Sequence, residues 1–320
     1  MKVGKKARKK LKFFLAAFAI FIFILIFLFR FAELKEISIL LKESKKTWLL
    51  TAFLIQLTSF IFLSLFYKVL LKDISFPYLF KTVFAMFFVD TVFPSFSLSG
   101  NAMLYYAARK GKAKRKRASL AVGINLFMNL LVYFLFFVFG FACLWLKGTK
   151  IYFPYVLLLF LLLFFIFWLL FTEKGKYLSL KFLKFSLRRW PKVKKKALSF
   201  VGDFFHARKK EKKKVFFYAF SLLFFSYLLR ILAIFFSFLC FSYVISFSKL
   251  ILGYAIAAFL SAVSYIKIGI YEASMTIAFT KLGVPYNLAL TTTLVYRAIS
   301  FWIPLIVGFV CFRNLIKSRK

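Results

Sequence analysis

Two apolar stretches of this chain are interrupted, at corresponding points, by short polar segments that contain glycine. We call residues 93–101 the first break and residues 264–272 the second break. Each break follows an apolar run and precedes a short apolar helix, a further glycine (Gly111 or Gly283) and a long apolar segment. Irregular backbone at membrane depth persists only where protein or a watery cavity satisfies its polar groups. Paired breaks in two halves are therefore typical of transporters with a site between them.

Composition agrees with a membrane location. Hydrophobic residues make up 63% of the 320 residues, which is far more apolar surface than a soluble domain hides. Lys and Arg total 49 against 9 Asp and Glu, and the cations cluster between apolar runs. This pattern predicts a positively charged cytoplasmic face against anionic phospholipid, and it makes nucleic acid an unlikely partner.

Six apolar segments are long enough to cross about 30 Å of hydrocarbon. They are residues 13–29, 47–67, 118–146, 151–171, 215–247 and 288–312. The first follows a basic N-terminus without a small-residue cleavage site, so it is expected to be an uncleaved span. Two more segments, 74–93 and 250–265, run into the breaks, and the helices that follow them, 101–108 and 271–280, are too short to cross alone.

The distribution of cations sets the predicted topology. The Lys- and Arg-rich cluster at 109–117 belongs on the cytoplasmic side, so residues 74–108 are predicted to fold back as a re-entrant hairpin. The basic loop 172–214 and the C-terminal cations also belong inside. Residues 250–280 then form a second hairpin that enters from the opposite face.

We therefore predict an all-α polytopic membrane protein with about six full transmembrane helices and two re-entrant helical hairpins in an inverted repeat. Residues 1–320 form one integral membrane domain of the cytoplasmic (inner) membrane, with both termini cytoplasmic. The repeats cover about 47–146 and 215–312 and flank the basic cytoplasmic loop 172–214. Splitting residues 215–247 into two short spans would change this topology.

Ionisable and polar residues within the apolar segments are the candidate substrate-binding groups, since a charge at membrane depth costs roughly 2.5–3.5 kcal/mol on insertion scales. Glu272 follows Gly269 in the second break, and Arg297 is its natural partner by sign. This pair is interpreted either as a structural ion pair or as a direct contact for substrate charge. The other candidates are Asp90, Gly100, Asn101 and Arg230.

These other candidates also have alternative interpretations. Asp90 either stabilises the tip of the first hairpin or faces the same cavity as Glu272, and the structural role is favoured. Arg230 either contacts a headgroup phosphate or is a snorkelling or carbonyl-bonded arginine. Asn101 lies in the first break, and Asn125 and Asn129 share one helix face, which suggests hydrogen bonds between helices.

The sequence gives little support for catalysis by this chain. Cys143, Cys240 and Cys311 lie far apart, and His206 is the one histidine, so neither a disulfide framework nor a metal site is expected. No nucleotide-binding motif or serine-nucleophile motif is present, and no cofactor is expected. The chain is accordingly predicted not to be an enzyme.

Several motifs resemble one known family. They are Gly269-Ile270-Tyr271-Glu272, Leu282-Gly283-Val284-Pro285, Tyr296-Arg297 and Phe301-Trp302-Ile303-Pro304-Leu305 followed by Gly308, with a weaker Pro94, Gly100 and Gly111 pattern in the first half. The chain is similar over nearly its whole length to the lysylphosphatidylglycerol synthase transmembrane region, also called the flippase-like domain family.

This resemblance implies an inner-membrane protein related to the part of those synthases that is credited with flipping aminoacylated lipid. The soluble synthase domain has no counterpart here, so lysyl transfer by this chain alone is not expected. The family's first break carries a Glu after its Gly and then an Arg, where this chain has Asn101 and then Ala102, Met103 and Leu104. The positions of Glu272 and Arg297 match the family.

The leading functional hypothesis is a flippase-like transporter that moves a phospholipid or a lipid-linked headgroup. The alternative is a non-catalytic membrane subunit or anchor for a separate lipid-modifying enzyme, such as an aminoacyl-lipid synthase or a glycosyltransferase. In that case the basic loop 172–214 would be the docking surface.

Overall fold

The structure is a computed structural model that describes residues 39–42, 44–93, 98–146, 165, 172–186, 191–264 and 269–317. Helices account for the regular structure of these residues, and no strand occurs among them. The elements are α1 (Lys46–Leu70), α2 (Phe76–Val92), α3 (Leu98–Lys110), α4 (Arg115–Trp145), α5 (Glu173–Ser186), α6 (Pro191–Lys210), α7 (Lys213–Leu239), α8 (Phe247–Val263), α9 (Ile270–Lys281), α10 (Tyr286–Arg297), a π-helical segment (Ala298–Trp302) and α11 (Ile303–Lys317).

Four helical stretches within the described ranges are long and apolar enough to span a membrane. They are Lys46–Leu70, Arg115–Trp145, Lys213–Leu239 and Tyr286–Lys317. They confirm an all-α polytopic membrane protein and correspond to the predicted spans 47–67, 118–146, 215–247 and 288–312. The predicted spans 13–29 and 151–171 lie outside the described residues, apart from residue 165.

The predicted span 215–247 was too long. Helix α7 ends at Leu239, and Ser242 then adopts a left-handed backbone conformation (φ 58°) before α8 begins. The N–H of Tyr243 donates to the carbonyl of Phe238 at 3.3 Å, which closes the turn. Hydropathy missed this turn because residues 240–247 remain mostly apolar while the backbone reverses.

Both predicted helical hairpins are present as packed helix pairs, α2 with α3 and α8 with α9. The second helix of each pair ends in the same way. At the end of α9, the N–H of Val284 donates to the carbonyl of Phe279 at 3.0 Å, and Gly283 between them has a positive φ of 84°. At the end of α3, the N–H of Ala113 donates to the carbonyl of Ala108 at 3.0 Å, and Lys112 has a positive φ of 67°. Lys112, not Gly111, is thus the counterpart of Gly283. That each hairpin is re-entrant in the membrane stays a prediction.

The two halves pack in equivalent ways. Helix α1 packs against α7, the first helix of the other half. Helix α2 packs against α11, and α8 packs correspondingly against α4. If each helix is replaced by its counterpart in the other half, the pair α2–α11 becomes α8–α4 and the pair α1–α7 stays the same, as expected for a repeat. The inversion of one half relative to the other across the membrane stays a prediction.

Two glycines allow the close approach of helices between the halves. A Cβ on Gly140 of α4 would lie 2.9 Å from the backbone nitrogen of Leu252 in α8. A Cβ on Gly308 of α11 would lie 2.5 Å from the carbonyl oxygen of Phe84 in α2. Because backbone atoms cannot move aside easily, these positions fix the spacing of the two equivalent helix pairs.

The segment predicted as a basic loop contains two helices, α5 and α6. Its lysines alternate with apolar residues at helical spacing, so each helix has an apolar side. Helix α6 packs on α4, where the ring of Phe204 covers Gly123 so closely that a Cβ there would lie 2.4 Å from Cδ2. Arg115 Nε also pairs with Asp203 Oδ2 at 2.8 Å, which ties α6 to the beginning of α4.

Candidate functional site

The second break ends at a buried ion pair. Gly269 precedes α9 with φ 86°, a conformation that suits glycine, and its N–H donates to Glu272 Oε2 at 2.9 Å. The other carboxylate oxygen, Oε1, accepts a hydrogen bond from Arg297 Nε at 2.9 Å. Glu272 therefore caps α9 and holds it to the end of α10 with the same carboxylate. The contact predicted from opposite sign is present.

Aromatic rings enclose the guanidinium of Arg297. Its Cζ lies 3.9 Å from the ring centroid of Phe301 and 5.1 Å from that of Tyr271. Glu272 and Arg297 are only 8% and 7% exposed. In such surroundings each charge depends on its partner, because removing one would leave the other buried without compensation. The local geometry fits the structural interpretation of this pair.

Polar contacts also close the first hairpin. Asp90 Oδ1 accepts hydrogen bonds from Ser99 Oγ and from the N–H of Gly100, both at 3.2 Å. A Cβ on Gly100 would lie 3.0 Å from Asp90 Cβ and Cγ, so glycine is needed for this approach. The carboxylate thus holds the beginning of α3 against α2, which is the structural role favoured from the sequence. Pro94 lies outside the described residues.

Asn101 lies one residue further along α3 and connects it to α4. Asn125 Nδ2 donates to Asn101 Oδ1 at 2.8 Å, and Asn129 Nδ2 donates to Asn125 Oδ1 at 2.8 Å. Tyr67 of α1 donates to the same Asn125 oxygen at 2.9 Å. The predicted hydrogen bonds between helices are confirmed for Asn125.

A cavity of about 560 Å³ lies between the two halves. Helices α1 to α4 line one side, and α7 to α10 with the π-helical segment line the other. Five of the predicted site residues line it: Asp90, Gly100, Asn101, Arg230 and Arg297. Glu272 contacts the cavity-lining Arg297, and Gly269 hydrogen-bonds to Glu272, so these two residues are connected to the cavity through Arg297. The structure thus brings candidates from both halves to one place.

Arg230 of α7 reaches the cavity from the second half. Its side chain is half-buried, and its Cζ lies 4.7 Å from the ring centroid of Tyr227 and 5.8 Å from that of Phe60. Its Nε is buried without a hydrogen-bond partner among the described residues. The alternative of a carbonyl-bonded arginine therefore finds no support at this nitrogen.

Sequence reasoning missed the tyrosines of the cavity wall. Tyr67, Tyr133, Tyr227, Tyr254, Tyr271 and Tyr296 all line it. The hydroxyls of Tyr133 and Tyr227 are 2.9 Å apart, and Tyr227 also donates to Asn129 Oδ1. A usable signal was the spacing of Tyr227 three residues before Arg230, which places both on one helix face.

Groups suited to a metal ion are not gathered in the described part of the chain, where no three His, Cys, Asp or Glu residues cluster. The cavity instead offers guanidinium, amide and phenol groups beside the Asp90 carboxylate. These groups bind oxyanions and hydroxyls by hydrogen bonds. The arrangement is therefore suited to recognising a polar headgroup.

A second surface has apolar and basic residues together. On α5, Tyr177, Phe182 and Phe185 are 69%, 67% and 80% exposed, beside several lysines. The exposed His206 of α6 lies near cations, with Lys116 the largest cause of a pKa that is lowered from the usual range of histidine. Positive potential from the cations of the two helices thus accompanies the exposed aromatic surface of α5.

Comparison with known proteins gives one result for most of the chain. The model of a family described as "Lysylphosphatidylglycerol synthase TM region" matches residues 14–308. No curated protein matches the chain significantly. The matched range contains both hairpins, the Glu272–Arg297 pair and all residues that line the cavity. The chain belongs to the lysylphosphatidylglycerol synthase TM region family.

Proposed function

We propose that this protein moves a phospholipid or a lipid-linked headgroup across the cytoplasmic membrane through the cavity between its two halves. The observation that carries the proposal is the cavity itself, which has a volume of about 560 Å³ and is lined by arginine, asparagine and tyrosine side chains. It lies among helices that are long and apolar enough to span a bilayer. Polar groups at such a depth are costly unless they serve a polar ligand or one another. The headgroup would cross through the cavity while the acyl chains remain in lipid.

The family supports this proposal at the level of a class. Its model describes the membrane region of a lipid synthase, and the match includes the whole cavity. We propose that the present chain binds and moves lipid without changing it chemically. The guanidinium, amide and phenol groups that line the cavity bind polar ligands well, and the Asp90 carboxylate is engaged in holding α3.

The test is a lipid-crossing assay with a cavity-blocking variant. Purified protein is reconstituted in liposomes with a trace of fluorescent phospholipid, and a membrane-impermeant quencher reports crossing. Ala258 lines the cavity and is buried, so Ala258→Trp should block the path. Val310→Trp adds the same side chain on the outer surface, where Val310 is 51% exposed, and serves as the matched control.

We expect crossing with the wild type and with Val310→Trp, and loss of crossing with Ala258→Trp. Equal crossing by both variants would show that the cavity is not the path. Wild-type liposomes that behave like protein-free liposomes would contradict the transport proposal and favour the second candidate.

The second candidate is a membrane subunit for a separate lipid-modifying enzyme. Exposed aromatic rings on α5, together with the lysines of α5 and α6, favour this possibility because such surfaces recruit partners. Co-purification of such an enzyme that is lost in Phe182→Ser/Phe185→Ser would support it. Retention of the enzyme by that variant would remove α5 as the docking surface.

We also propose that α5 and α6 face the cytoplasm and contact anionic phospholipid, with both chain termini on that side. Lysine-flanked aromatic residues lie at the boundary between headgroups and acyl chains in amphipathic interfacial helices. Each cation near an anionic surface contributes about 1 kcal/mol. The lipid that touches this surface need not be the lipid that crosses.

A further inference from the structure

Among the described residues that line the cavity, Arg230 is the cationic side chain without an ion pair to a carboxylate. The ion pairs seen between described residues include those of Arg297 with Glu272, Arg115 with Asp203, Arg117 with Asp73 and Lys72 with Glu211, and none of these involves Arg230. The Nε of Arg230 is also buried without a hydrogen-bond partner in this part of the chain. A half-buried guanidinium without a protein anion retains part of its desolvation cost, which an anionic ligand would relieve.

The contrast with Arg297 separates two roles within one cavity. Arg297 is paired with Glu272 at 2.9 Å, and the second oxygen of that carboxylate is held by the N–H of Gly269. The charge of Arg297 is therefore already balanced by protein. Arg230 lines the same cavity with its charge available for a ligand.

The walls around Arg230 hold its guanidinium in place. The rings of Tyr227 and Phe60 lie 4.7 and 5.8 Å from its Cζ, within the range of cation–π attraction. Tyr227 is itself held by Tyr133 and Asn129. A guanidinium restrained in this way presents its planar set of donors in a fixed direction, which suits the paired oxygens of a phosphate.

We propose that the cavity contains a phosphate-binding subsite at Arg230. The ligand is a phosphate ester anion, with the phosphodiester of a phospholipid as the expected source and free phosphate as the other source of the same chemistry. Tyr254 and Tyr296, which also line the cavity, supply hydroxyls for the remaining headgroup oxygens. This inference deepens the proposed function by naming what the cavity recognises, and it is tested by binding without transport.

The experiment measures binding to purified protein in a neutral detergent by isothermal titration calorimetry. Three probes are used: a short-chain phosphatidylglycerol, a diacylglycerol with the same chains but no phosphate, and inorganic phosphate. For the wild type we expect binding of the phosphatidylglycerol and at least tenfold weaker binding of the diacylglycerol. Equal binding of these two lipids would overturn the proposal without any variant.

Arg230→Gln should weaken the binding of phosphatidylglycerol by roughly tenfold to a hundredfold, the range expected for losing hydrogen bonds to a charged group. Arg230→Lys keeps the charge without the planar set of donors and should lie between wild type and Arg230→Gln. Arg313→Gln removes an exposed arginine of α11 and should bind like the wild type. Gel filtration and the melting temperature establish that each variant is folded.

Each outcome decides the matter. Unchanged affinity in folded Arg230→Gln overturns the subsite. Binding of inorganic phosphate alone, lost in Arg230→Gln, supports the subsite with free phosphate as its ligand and contradicts a lipid ligand. Arg230-dependent lipid binding in a protein that moves no lipid supports the subsite and contradicts only the transport proposal. Lipid transport that is unaffected by Arg230→Gln contradicts only the subsite.

Discussion

Asn125 Nδ2 donates a hydrogen bond to Asn101 Oδ1 at 2.8 Å, in the place where the second half of the molecule has an ion pair. The two asparagines lie 24 residues apart, and Glu272 and Arg297 lie 25 apart. In each half the first residue lies near the beginning of the short hairpin helix, and the second lies in the long helical stretch that follows. One half therefore uses neutral amides where the other uses opposite charges.

This difference has an energetic consequence. Two amides lose less hydration on burial than a carboxylate and a guanidinium do. The neutral pair tolerates a change of either partner better, whereas each member of the charged pair requires the other. The second hairpin is thus held by a contact that is less tolerant of substitution.

The first prediction concerns the charged pair. Glu272→Gln should destabilise the protein by about 3–5 kcal/mol, because Arg297 stays buried without its carboxylate. Glu272→Gln/Arg297→Gln restores a neutral pair like that of the first half and should be more stable than the single variant. The melting temperature in detergent measures both effects.

A partly exposed pair provides the control for that experiment. Glu211 lies 4.0 Å from Lys72, whose side chain is 53% exposed, so Glu211→Gln should change stability by about 1 kcal/mol or less. The prediction fails if Glu272→Gln melts at the same temperature as Glu211→Gln. It also fails if the double variant is no more stable than Glu272→Gln.

The second prediction concerns the helix spacing at Gly308. Gly308→Ala places a Cβ about 2.5 Å from the backbone carbonyl oxygen of Phe84, so α11 must shift away from α2. We expect a loss of about 1–3 kcal/mol, the usual cost of overpacking, measured as a lower melting temperature.

Gly202 of α6 is the matched control for Gly308. In the described part of the chain no atom lies within 4 Å of a Cβ built on Gly202, so Gly202→Ala adds a methyl group to a helix without a clash. It should stabilise the protein by up to about 1 kcal/mol because alanine has the higher helix propensity. Equal melting temperatures for the two alanine variants would contradict the assigned packing of α11 on α2.

The third prediction concerns the hydrogen-bond network of the first half. Asn125→Leu removes a residue that accepts from Tyr67 and Asn129 and donates to Asn101. Tyr67 and Asn101 remain buried, so we expect a loss of about 1–3 kcal/mol for each of them that finds no new partner. Hydrogen exchange should also become faster in α3, which this contact ties to α4.

Asn314→Leu makes the same substitution at an exposed position of α11 and serves as its control. This variant should leave the exchange rates of α3 unchanged. Slow exchange of α3 in Asn125→Leu would show that this network does not hold the first hairpin.

The fourth prediction concerns the basic surface and uses His206, the one histidine of the sequence. Nearby cations, with Lys116 the largest cause, disfavour its charged form and hold its pKa below 6.5. Anionic lipid at this surface would offset those cations and raise the pKa. Titration by NMR in nanodiscs should therefore give a higher pKa in phosphatidylglycerol than in phosphatidylcholine.

Variants separate local charge from lipid contact. Lys116→Gln should raise the pKa of His206 in phosphatidylcholine, because it removes the largest cause of the lowered value. Phe182→Ser/Phe185→Ser should reduce the difference between the two lipids if α5 holds this surface to the membrane. Identical pKa values of the wild type in both lipids would contradict contact with anionic lipid.

The sequence by itself determined the apolar helices, the two hairpins and the Glu272–Arg297 partnership. Hydropathy and charge sign are properties of local sequence, and an isolated carboxylate and an isolated guanidinium at membrane depth have few alternative partners. Local sequence did not predict the turn between α7 and α8, where composition changes little. It also did not predict the helices α5 and α6, where lysine dominates the composition.

Only the tertiary structure decided which side chains face the central cavity. The faces of α1, α4 and α7 that meet determine the tyrosines of the cavity wall and the Asn101–Asn125 contact. They also determine the position of Arg230, whose Nε has no hydrogen-bond partner among the described residues. That choice is made by close packing, as at Gly140 and Gly308, between residues far apart in the chain. The sequence supplied the polar groups, and the packing of the two halves made them one site.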